Sequence, residues 1–362
     1  MFLLVLISAM AFLSSGICAY SCVDENNNPV DWFVIYKIPE LKDNKNPFIR
    51  DGTGYAYSSS TKDTGWILSQ KSINDSTSVP GLTLSFFYDA SSSNVSKDTL
   101  FVLYNDQPPN GETTLTGGHT KGVVVAGKSG GFWLVHSVPH YPPPPDTAAY
   151  SYPHTGLRNG QSFLCITLKP QQLETVGLQL MFNDPKIFAN STPVMLDPQY
   201  PQLTKAALGA DITSPPYYHS DTITSSQGTV FHTFAKTPKF DKDLYADWVA
   251  AALQANLLVE TWPNGVGRLN SSCDHPYSVE NVEGVNINVV GESFHSTKDH
   301  SKWAVSESKD NPWICIGDIN RAMTQALRGG GTVCVSDPKL WRAYFESINS
   351  VQSCPKPSVH LV

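Results

Sequence analysis

Two His-x-Lys segments carry the residue types that hydrolysis of a phosphodiester would need. The first contains His119 and Lys121, and the second contains His300 and Lys302. One imidazole can attack phosphorus as a nucleophile, while the other, once protonated, can donate its proton to the departing oxygen. The two ammonium groups can stabilise the negative charge that grows on the phosphoryl oxygens. The pattern therefore predicts a hydrolase that forms a phosphohistidine intermediate and needs no metal ion or cofactor.

The two His-x-Lys segments lie in matching sequence contexts. Each runs into an apolar stretch, a turn and a tryptophan, and the Lys-to-Trp spacings are 133 − 121 = 12 and 313 − 302 = 11 residues. Each half then reaches a strand candidate that contains a cysteine, followed by a proline and a helical pattern. Such self-similarity is typical of a duplicated unit. Because side chains two residues apart lie on the same side of a strand, each half can present one imidazole and one ammonium group to a shared phosphate.

Short strands and a few helices must position these side chains. Aromatic and β-branched residues predict strands at residues 33–37, 82–87, 100–104, 123–125, 132–138, 163–168 and 332–335. Helices are predicted over residues 170–181, over residues 244–259, and after Asp337-Pro338, where the Asp can cap the first turn. Strands that alternate with helices in both halves indicate an α/β fold.

The N-terminus and the cysteines indicate the secretory pathway. Residues 1–19 carry no charged side chain and end in small residues after an apolar run, which is typical of a cleaved signal peptide. No later stretch is long and apolar enough to cross a bilayer, so we predict no membrane anchor. Cleavage leaves six cysteines, which allow three disulfides in any of 15 pairings: Cys22, Cys165, Cys273, Cys315, Cys334 and Cys354.

Four Asn-x-Ser/Thr sequons agree with the secretory pathway. Their asparagines are Asn74, Asn94, Asn190 and Asn270, and Pro193 after the third sequon weakens it. Four sequons behind a signal peptide predict at least one N-linked glycan.

The charge balance depends on the histidines. The 362 residues carry a net charge of −7 with histidines neutral, and protonation of all ten histidines would bring it to −7 + 10 = +3. A protein in an acidified compartment could therefore gain attraction for a polyanion such as DNA. Buried histidines would not contribute to this change.

Residues 118–122, 132–139, 299–303 and 315–321 closely resemble deoxyribonuclease II, the acid DNase of lysosomes. The resemblance covers essentially the whole mature chain. It implies a phospholipase D-like α-β-α sandwich built from two pseudo-symmetric repeats, here residues 20–200 and 201–362. It also implies metal-independent endonucleolytic hydrolysis of duplex DNA that leaves 3′-phosphate and 5′-hydroxyl ends. The expected setting is the lysosome, reached by the secretory pathway, where DNA of engulfed or apoptotic cells is degraded.

The resemblance also assigns roles to residues. It implies that His119 is the nucleophile and His300 the general acid, with Lys121 and Lys302 beside them. His136 is implied to contact the phosphate or to hold His119 in one tautomer, although a histidine satisfied beside the following proline loop is an equal alternative. Asn320 follows the second His-x-Lys pair as a phosphate-contacting Asn does in phospholipase D-like enzymes.

Three further implications concern neighbouring positions. Asp318 could orient a histidine, but we favour a helix cap. Ala126 occupies the place of the Asp in the fuller phospholipase D motif, so the motif supplies no carboxylate partner for His119. The implied disulfides are Cys22 with Cys165, Cys273 with Cys354, and Cys315 with Cys334.

Other function classes remain open at this point. The same chemistry would serve a secreted phospholipase D-like phosphodiesterase that acts on a diester other than nucleic acid. A metal-dependent nuclease could use the histidines as ligands, although the motifs lack nearby carboxylates. The last alternative hypothesis is a glycoprotein without catalytic activity that only binds DNA or glycans.

Overall fold

The structure is a computed structural model that describes residues 20–61, 65–88, 95–145, 147 and 149–355. The predicted signal peptide, residues 1–19, and the sequon residue Asn94 lie outside the described residues. None of the described helices is long and apolar enough to span a membrane.

Strands form most of the regular structure. In chain order they are β1 Cys22–Val23, β2 Pro29–Val30, β3 Trp32–Lys37, β4 Tyr55–Ser59, β5 Ile67–Leu68, β6 Leu100–Asn105, β7 Lys121–Gly127, β8 Gly130–His136, β9 Gln161–Leu168, β10 Ile187–Ser191, β11 Tyr218–Thr224, β12 Val230–Lys236, β13 Leu257–Glu260, β14 Val279–Asn286, β15 Ser293–His295, β16 Trp303–Ser306, β17 Trp313–Gly317, β18 Gly330–Ser336 and β19 Ile348–Gln352. Six of the seven predicted strands are confirmed within this set.

The helices are mostly short. The α-helices are α1 Pro47–Arg50, α2 Val79–Thr83, α3 Val95–Asp98, α4 Pro170–Asn183, α5 Pro201–Ala207, α6 Ala250–Leu253, α7 Met323–Ala326 and α8 Pro338–Phe345. The 3₁₀ turns are Ser85–Phe87, His154–Gly156, Val194–Leu196, Pro238–Phe240 and Ser296–Lys298, and Tyr245–Val249 is a π-helical turn. The predicted helices after Pro170 and Asp337 are confirmed, and the Asp337 carboxylate accepts hydrogen bonds from the backbone N–H groups of Lys339 and Leu340.

Two large sheets organise the molecule. The first has the strand order β10-β6-β7-β8-β9-β3-β4-β5, and the second has the order β11-β12-β18-β17-β16-β13-β14-β15, with β19 also paired to β14. Among these described strands the pairing of β13 with β14 is parallel, and the other ladder pairings are antiparallel. The protein is therefore a mixed α/β fold dominated by antiparallel sheet.

Each sheet contains the same run of elements around a His-x-Lys segment. In the first sheet β7, β8 and β9 are neighbours and lead into α4; in the second, β16, β17 and β18 are neighbours and lead into α8. Both helices begin at a proline, whose fixed φ suits the first helical turn. Lys121 opens β7 and Lys302 directly precedes β16. The two His-x-Lys segments thus enter equivalent strands.

One hydrophobic core joins the two sheets. Val124, Trp133 and Ile166 of the first sheet belong to the same buried cluster as Val305 and Ile314 of the second. Alternate residues of the first sheet, among them Val123 and Val125, face a separate outer core, as the period of two along a strand requires. Since burial of each such side chain contributes about 1.5–3 kcal/mol, the sheets are held as one body.

The strand predicted at residues 82–87 is wrong. These residues lie in the end of α2 and in the 3₁₀ turn Ser85–Phe87. Ser78 caps α2, because its hydroxyl accepts a hydrogen bond from the Gly81 N–H at 3.2 Å, and Pro80 lies in the first turn. This capping signal outweighs the aromatic and apolar content of the segment.

The helix predicted over residues 244–259 is too long. The π-helical turn and α6 end at Leu253, Gln254 adopts a left-handed φ of 52°, and residues 257–260 form β13. β13 pairs with both β14 and β16. Ala255 and Leu258 fit a helical spacing of apolar residues only by chance. Pairing in the sheet determines the structure of residues 257–260 instead.

Three disulfides have the pairing that the resemblance implies. Cys22–Cys165 joins β1 to β9, with an S–S distance of 2.02 Å. Cys315–Cys334 joins residues that pair directly between β17 and β18. Cys273–Cys354 fastens the segment after β19. Such bonds persist in an oxidising compartment, which agrees with the secretory pathway.

Candidate active site

His119 is anchored by the C-terminal half of the chain. It lies just before β7, where its backbone N–H donates to the Gly329 carbonyl at 2.8 Å. Its ring Nδ1 lies 2.6 Å from the Asp318 carbonyl oxygen. Because a carbonyl can only accept, Nδ1 carries the proton and Nε2 keeps its lone pair. Nε2 is therefore the ring nitrogen with a free lone pair, which a nucleophile requires.

His300 is anchored in the same way by the N-terminal half. Its backbone N–H donates to the Gly160 carbonyl at 2.9 Å, and its Nδ1 lies 2.9 Å from the Ser137 carbonyl and 3.1 Å from the Gln161 Oε1. The Trp262 ring meets the imidazole edge to face at 5.3 Å between centroids. The two histidines are thus held reciprocally, each by backbone carbonyls of the opposite half.

The two lysines lie close to both imidazoles. The Lys302 Nζ donates to the His300 carbonyl at 2.7 Å, and the Lys121 ammonium donates to the Asp106 carboxylate. Burial, with the charges of Lys121 and Lys302, lowers the pKa of His119 to about 3. Burial and the same two lysines place the pKa of His300 well below its usual value. The His119 imidazole is therefore neutral at pH 5 when no substrate is bound, and burial and the lysines favour the neutral form of His300.

Asp106 is the carboxylate partner that the sequence motif lacked. Its Oδ2 lies 4.0 Å from the His119 Nε2 and 3.7 Å from the Arg328 Nη2. Burial raises the pKa of Asp106, but Lys121, His119 and Arg328 outweigh burial and bring it to about 2. The only sequence signal was its position at the end of a strand candidate and just before a proline pair, Pro108-Pro109.

Arg328 fixes the segment that carries His119. Its guanidinium donates to the carbonyls of Thr114, Gly117 and Gly118 at 3.1, 2.8 and 2.8 Å. These bonds tie residues 114–118 of the N-terminal half to the chain just after α7. Sequence analysis missed this residue, because a single Arg before three glycines carries no motif.

The favoured helix-cap role for Asp318 is wrong. The next helix, α7, begins at Met323 with Ala322 as its N-cap. The Asp318 backbone carbonyl instead orients His119, while its Oδ1 accepts a hydrogen bond from the Gly331 N–H at 2.8 Å. Burial raises the pKa of Asp318 to about 6.

Behind His300 lies a second group of buried acids. Asp299 accepts hydrogen bonds from the Tyr36 hydroxyl and from the Ser301 N–H. Glu260, at the end of β13, is fully buried, and neither of its oxygens has a hydrogen-bond partner among the described residues. Burial and the neighbouring Asp299 raise the pKa of Glu260 well above its usual value, which favours the protonated carboxyl. Sequence analysis missed both carboxyl groups.

His136 is buried beside Lys121. Gly122 pairs with Val135, so His136 and Lys121 are neighbours across β7 and β8. Its Nδ1 accepts a hydrogen bond from the Val138 N–H at 3.2 Å, which leaves the proton on Nε2. Within the described structure this Nε2 has no partner. The tautomer of His119 is set by the Asp318 carbonyl rather than by His136.

Asn320 also brings an unused polar atom to the site. Its side chain is buried two residues beyond Asp318, and its Oδ1 has no hydrogen-bond partner in the part of the chain that the structure describes.

The three described sequon asparagines are exposed. Oδ1 of Asn74 accepts a hydrogen bond from the Tyr152 N–H at 2.7 Å, and Oδ1 of Asn270 accepts one from Gln352 at 3.1 Å. Asn190 instead donates its Nδ2 to the Ala207 carbonyl at 2.6 Å, so a glycan there would share that nitrogen with the hydrogen bond.

The site therefore combines two imidazoles with depressed pKa values, two lysines and several buried polar groups, a set suited to phosphoryl transfer. The comparisons with known proteins identify the class as an endodeoxyribonuclease. The family model described as Deoxyribonuclease II matches residues 21–354. The chain belongs to the deoxyribonuclease II family.

Relatives match nearly the whole chain. Plancitoxin-1 of Acanthaster planci is 39% identical over 339 residues, 93% of each chain. Deoxyribonuclease-2-alpha of Rattus norvegicus is 37% identical over 340 residues, 93% of this chain and 95% of its own. Deoxyribonuclease-2-beta of Homo sapiens is 37% identical over 344 residues, 94% of this chain and 93% of its own.

Proposed function

We propose that this deoxyribonuclease hydrolyses duplex DNA at acid pH without a metal ion and leaves 3′-phosphate and 5′-hydroxyl ends. The observation that carries the proposal is the reciprocal anchoring of the two histidines. Each Nδ1 is bonded to a carbonyl of the opposite half, so both Nε2 atoms are left for chemistry. Lys121 and Lys302 supply the positive charge at the phosphate.

In the first step His119 Nε2 attacks phosphorus, and a P–N bond forms as the bond from phosphorus to the 5′ oxygen breaks. His300, protonated in the complex, donates its Nε2 proton to that oxygen. In the second step His300 removes a proton from water as the water oxygen attacks phosphorus. The P–N bond then breaks and releases the 3′-phosphate. His136 supports the phosphate through its Nε2–H, which has no partner within the described structure, and Asn320 supports it through the N–H groups of its side-chain amide.

Acid pH serves to charge His300. In the free protein, burial and the two lysines depress its pKa, which favours the neutral imidazole. A bound phosphodiester brings a negative charge that favours the imidazolium. Productive binding therefore takes up a proton, and a lower pH makes that uptake more favourable.

The proposed architecture is a phospholipase D-like sandwich with halves at residues 20–200 and 201–362. The matching runs β7-β8-β9-α4 and β16-β17-β18-α8 support two related units. The histidines bind carbonyls of the opposite unit, so the site lies at the junction of the two. The disulfides support passage through the secretory pathway, and the lysosome, where DNA of engulfed cells is degraded, provides the acid pH.

Plasmid nicking at about pH 5 in excess chelator, below the ordinary histidine pKa, tests this function. We expect wild type to nick the plasmid and His119→Ala and His300→Ala each to lose activity by at least about a thousandfold. His275→Ala removes an exposed histidine and is the matched control. A wild type that is inert in chelator and active with a divalent ion would refute the metal-free mechanism.

A further inference from the structure

Four large apolar side chains are unusually exposed around the candidate active site. Leu115 is 80% exposed, Val266 82%, Met323 68% and Leu327 59%. Large exposed aliphatic groups that cluster mark a surface that meets another molecule. We call these four residues the apolar rim.

Hydrogen bonds connect the segments that carry the four residues of the apolar rim. Arg328, next to Leu327, donates to the carbonyl of Thr114, next to Leu115. On the other side, the Met323 N–H donates to the Gly267 carbonyl at 2.8 Å, and the Thr324 hydroxyl donates to the Val266 carbonyl at 3.1 Å. The rim therefore links residues 114–118, α7 and the loop around Val266.

The apolar rim also borders both histidines. Arg328 holds Gly117 and Gly118, directly before His119. The loop that contains Val266 follows β13 and includes Trp262, whose ring contacts His300. The rim thus runs from one catalytic imidazole to the other.

The histidines themselves are recessed. His119 is 6% exposed and His300 is 8% exposed. A straight duplex presents its phosphates on a broad convex surface, which cannot bring one phosphate down to two nearly buried imidazoles. Bending or local unstacking of the duplex would make the phosphate protrude.

We propose that the apolar rim is a wedge that enters the minor groove and unstacks the base step beside the scissile phosphate. The inference rests on the proposed function, since it assumes that the site cleaves DNA. Leucine, methionine and similar side chains act in this way in proteins that kink DNA from the minor groove. Bases provide the apolar faces that such side chains contact, and flexible pyrimidine–purine steps lower the cost of opening.

The test uses polar variants of similar size, Met323→Gln and Leu327→Gln, singly and combined. Met195→Gln is the matched control, because Met195 is 54% exposed outside the rim. Three substrates are compared at pH 5: a duplex with a central TA step, the same duplex with a mismatch at that step, and bis(4-nitrophenyl) phosphate. The last substrate has no bases to unstack, and the mismatch is already partly open.

We expect the double variant to lower kcat/KM on the paired duplex at least about tenfold, equivalent to about 1.4 kcal/mol. Activity on the small diester should stay within about twofold of wild type, and the mismatch should restore most of the lost duplex activity. A duplex activity equal to wild type, or an equal loss on all three substrates, would overturn the wedge. Wild type that hydrolyses the small diester but neither duplex would instead overturn the proposed function.

Discussion

Asp106 balances the positive charge that gathers around His119. Its carboxylate binds the Lys121 ammonium, and it lies 3.7 Å from Arg328 and 4.0 Å from the His119 Nε2. It is the group that raises the pKa of His119 against burial and the three cations. Asp106 is thus placed to position Lys121 and to offset part of the positive charge around His119.

Replacement of Asp106 by Asn should show this role, because it keeps the shape and removes the charge. Lys121 would lose its partner and shift from the phosphate, so we expect kcat/KM at pH 5 to fall roughly 10- to 100-fold. The measurement is steady-state DNA cleavage between pH 4 and 7. Asp51→Asn, at an exposed carboxylate paired with Arg50, is the control. Equal activity of Asp106→Asn and wild type would contradict the role.

The raised pKa of Asp318 should make the stability difference between wild type and Asp318→Asn depend on pH. Burial raises its folded pKa from 3.8 to about 6, so the folded state favours the protonated carboxyl. The stability that the protonated Asp318 carboxyl contributes is fully present below the pKa of Asp318 in the unfolded chain, and it is lost as the pH rises through about 6. Asp318→Asn mimics the protonated carboxyl at every pH. Its free energy of unfolding should therefore rise relative to that of wild type by up to about 3 kcal/mol as the pH increases from 4 to 7. Thermal unfolding at both pH values measures the gain, and a difference that does not change with pH would argue against it.

Residue types and spacing selected His119, Lys121, His300 and Lys302 as candidate catalytic residues, and their catalytic roles stay predictions. Their supporting contacts were not predictable, because Asp318 and Ser137 act through backbone carbonyls that lie 199 and 163 residues away along the chain. Any residue type has a carbonyl, so this function leaves no signature in the sequence. The roles assigned to His136 and Asn320 stay predictions.

Gly160 determines how closely the segment before His300 approaches β9. It forms a parallel bridge with Asp299, donates to the Lys298 carbonyl and accepts from the His300 N–H. A Cβ at Gly160 would lie 2.3 Å from the Asp299 Oδ1. The close approach therefore requires glycine at this position.

Gly160→Ala should move the His300 segment away from β9 and reduce kcat about 100-fold, since small displacements at a catalytic group are costly. The change in kcat is measured by DNA cleavage at pH 5, and circular dichroism checks that the variant is folded. Gly265→Ala is the matched control, because a Cβ there meets nothing within 4 Å. An unchanged kcat in Gly160→Ala would mean that the packing of this bridge does not position His300.

Local sequence patterns predicted helices and strands correctly where the pattern and the pairing within the sheet favour the same structure. Residues 163–168 and the helix after Pro170 are examples, because alternation, cap and proline all favour the same structure. Residues 244–259 were only partly predicted, because apolar spacing there fits a helix while residues 257–260 gain ladder bonds with β14 and β16. Such distant pairing is not visible in a local window.

Across the whole molecule, acid pH adds less positive charge than the histidine count suggested. His119, His136 and His300 are buried with depressed pKa values. Ten histidines less these three leave seven, so their protonation brings the charge to −7 + 7 = 0 rather than +3. We therefore expect the attraction for DNA to come chiefly from the cations at the site.

A weak dependence on salt follows from this charge balance. With Lys121 and Lys302 as the main phosphate contacts, kcat/KM should fall only about tenfold between 50 and 200 mM salt at pH 5. Initial rates of plasmid cleavage over this range give the slope. A fall of a thousandfold or more would require a wide cationic surface and would contradict the two-lysine description.

The two halves of the molecule interlock beyond the active site. Asp31 in the N-terminal half accepts hydrogen bonds from the hydroxyls of Ser225, Ser226 and Thr229 and from the Gln227 N–H, in the turn between β11 and β12. Together with the shared core, these bonds keep the two histidine-bearing segments in fixed register. The proposed cleavage by paired histidines requires such a fixed arrangement.

A duplex oligonucleotide with sulfur in place of one bridging 5′ oxygen tests the separate roles of the two histidines most directly. A thiolate leaves without a proton from a general acid, so the acid becomes dispensable in the first step. At pH 5 in chelator, we predict that His300→Ala cleaves this substrate within about tenfold of the wild-type single-turnover rate, while His119→Ala remains inactive. Rescue of His119→Ala, or rescue of neither variant, would contradict the assignment of His119 as nucleophile and His300 as general acid.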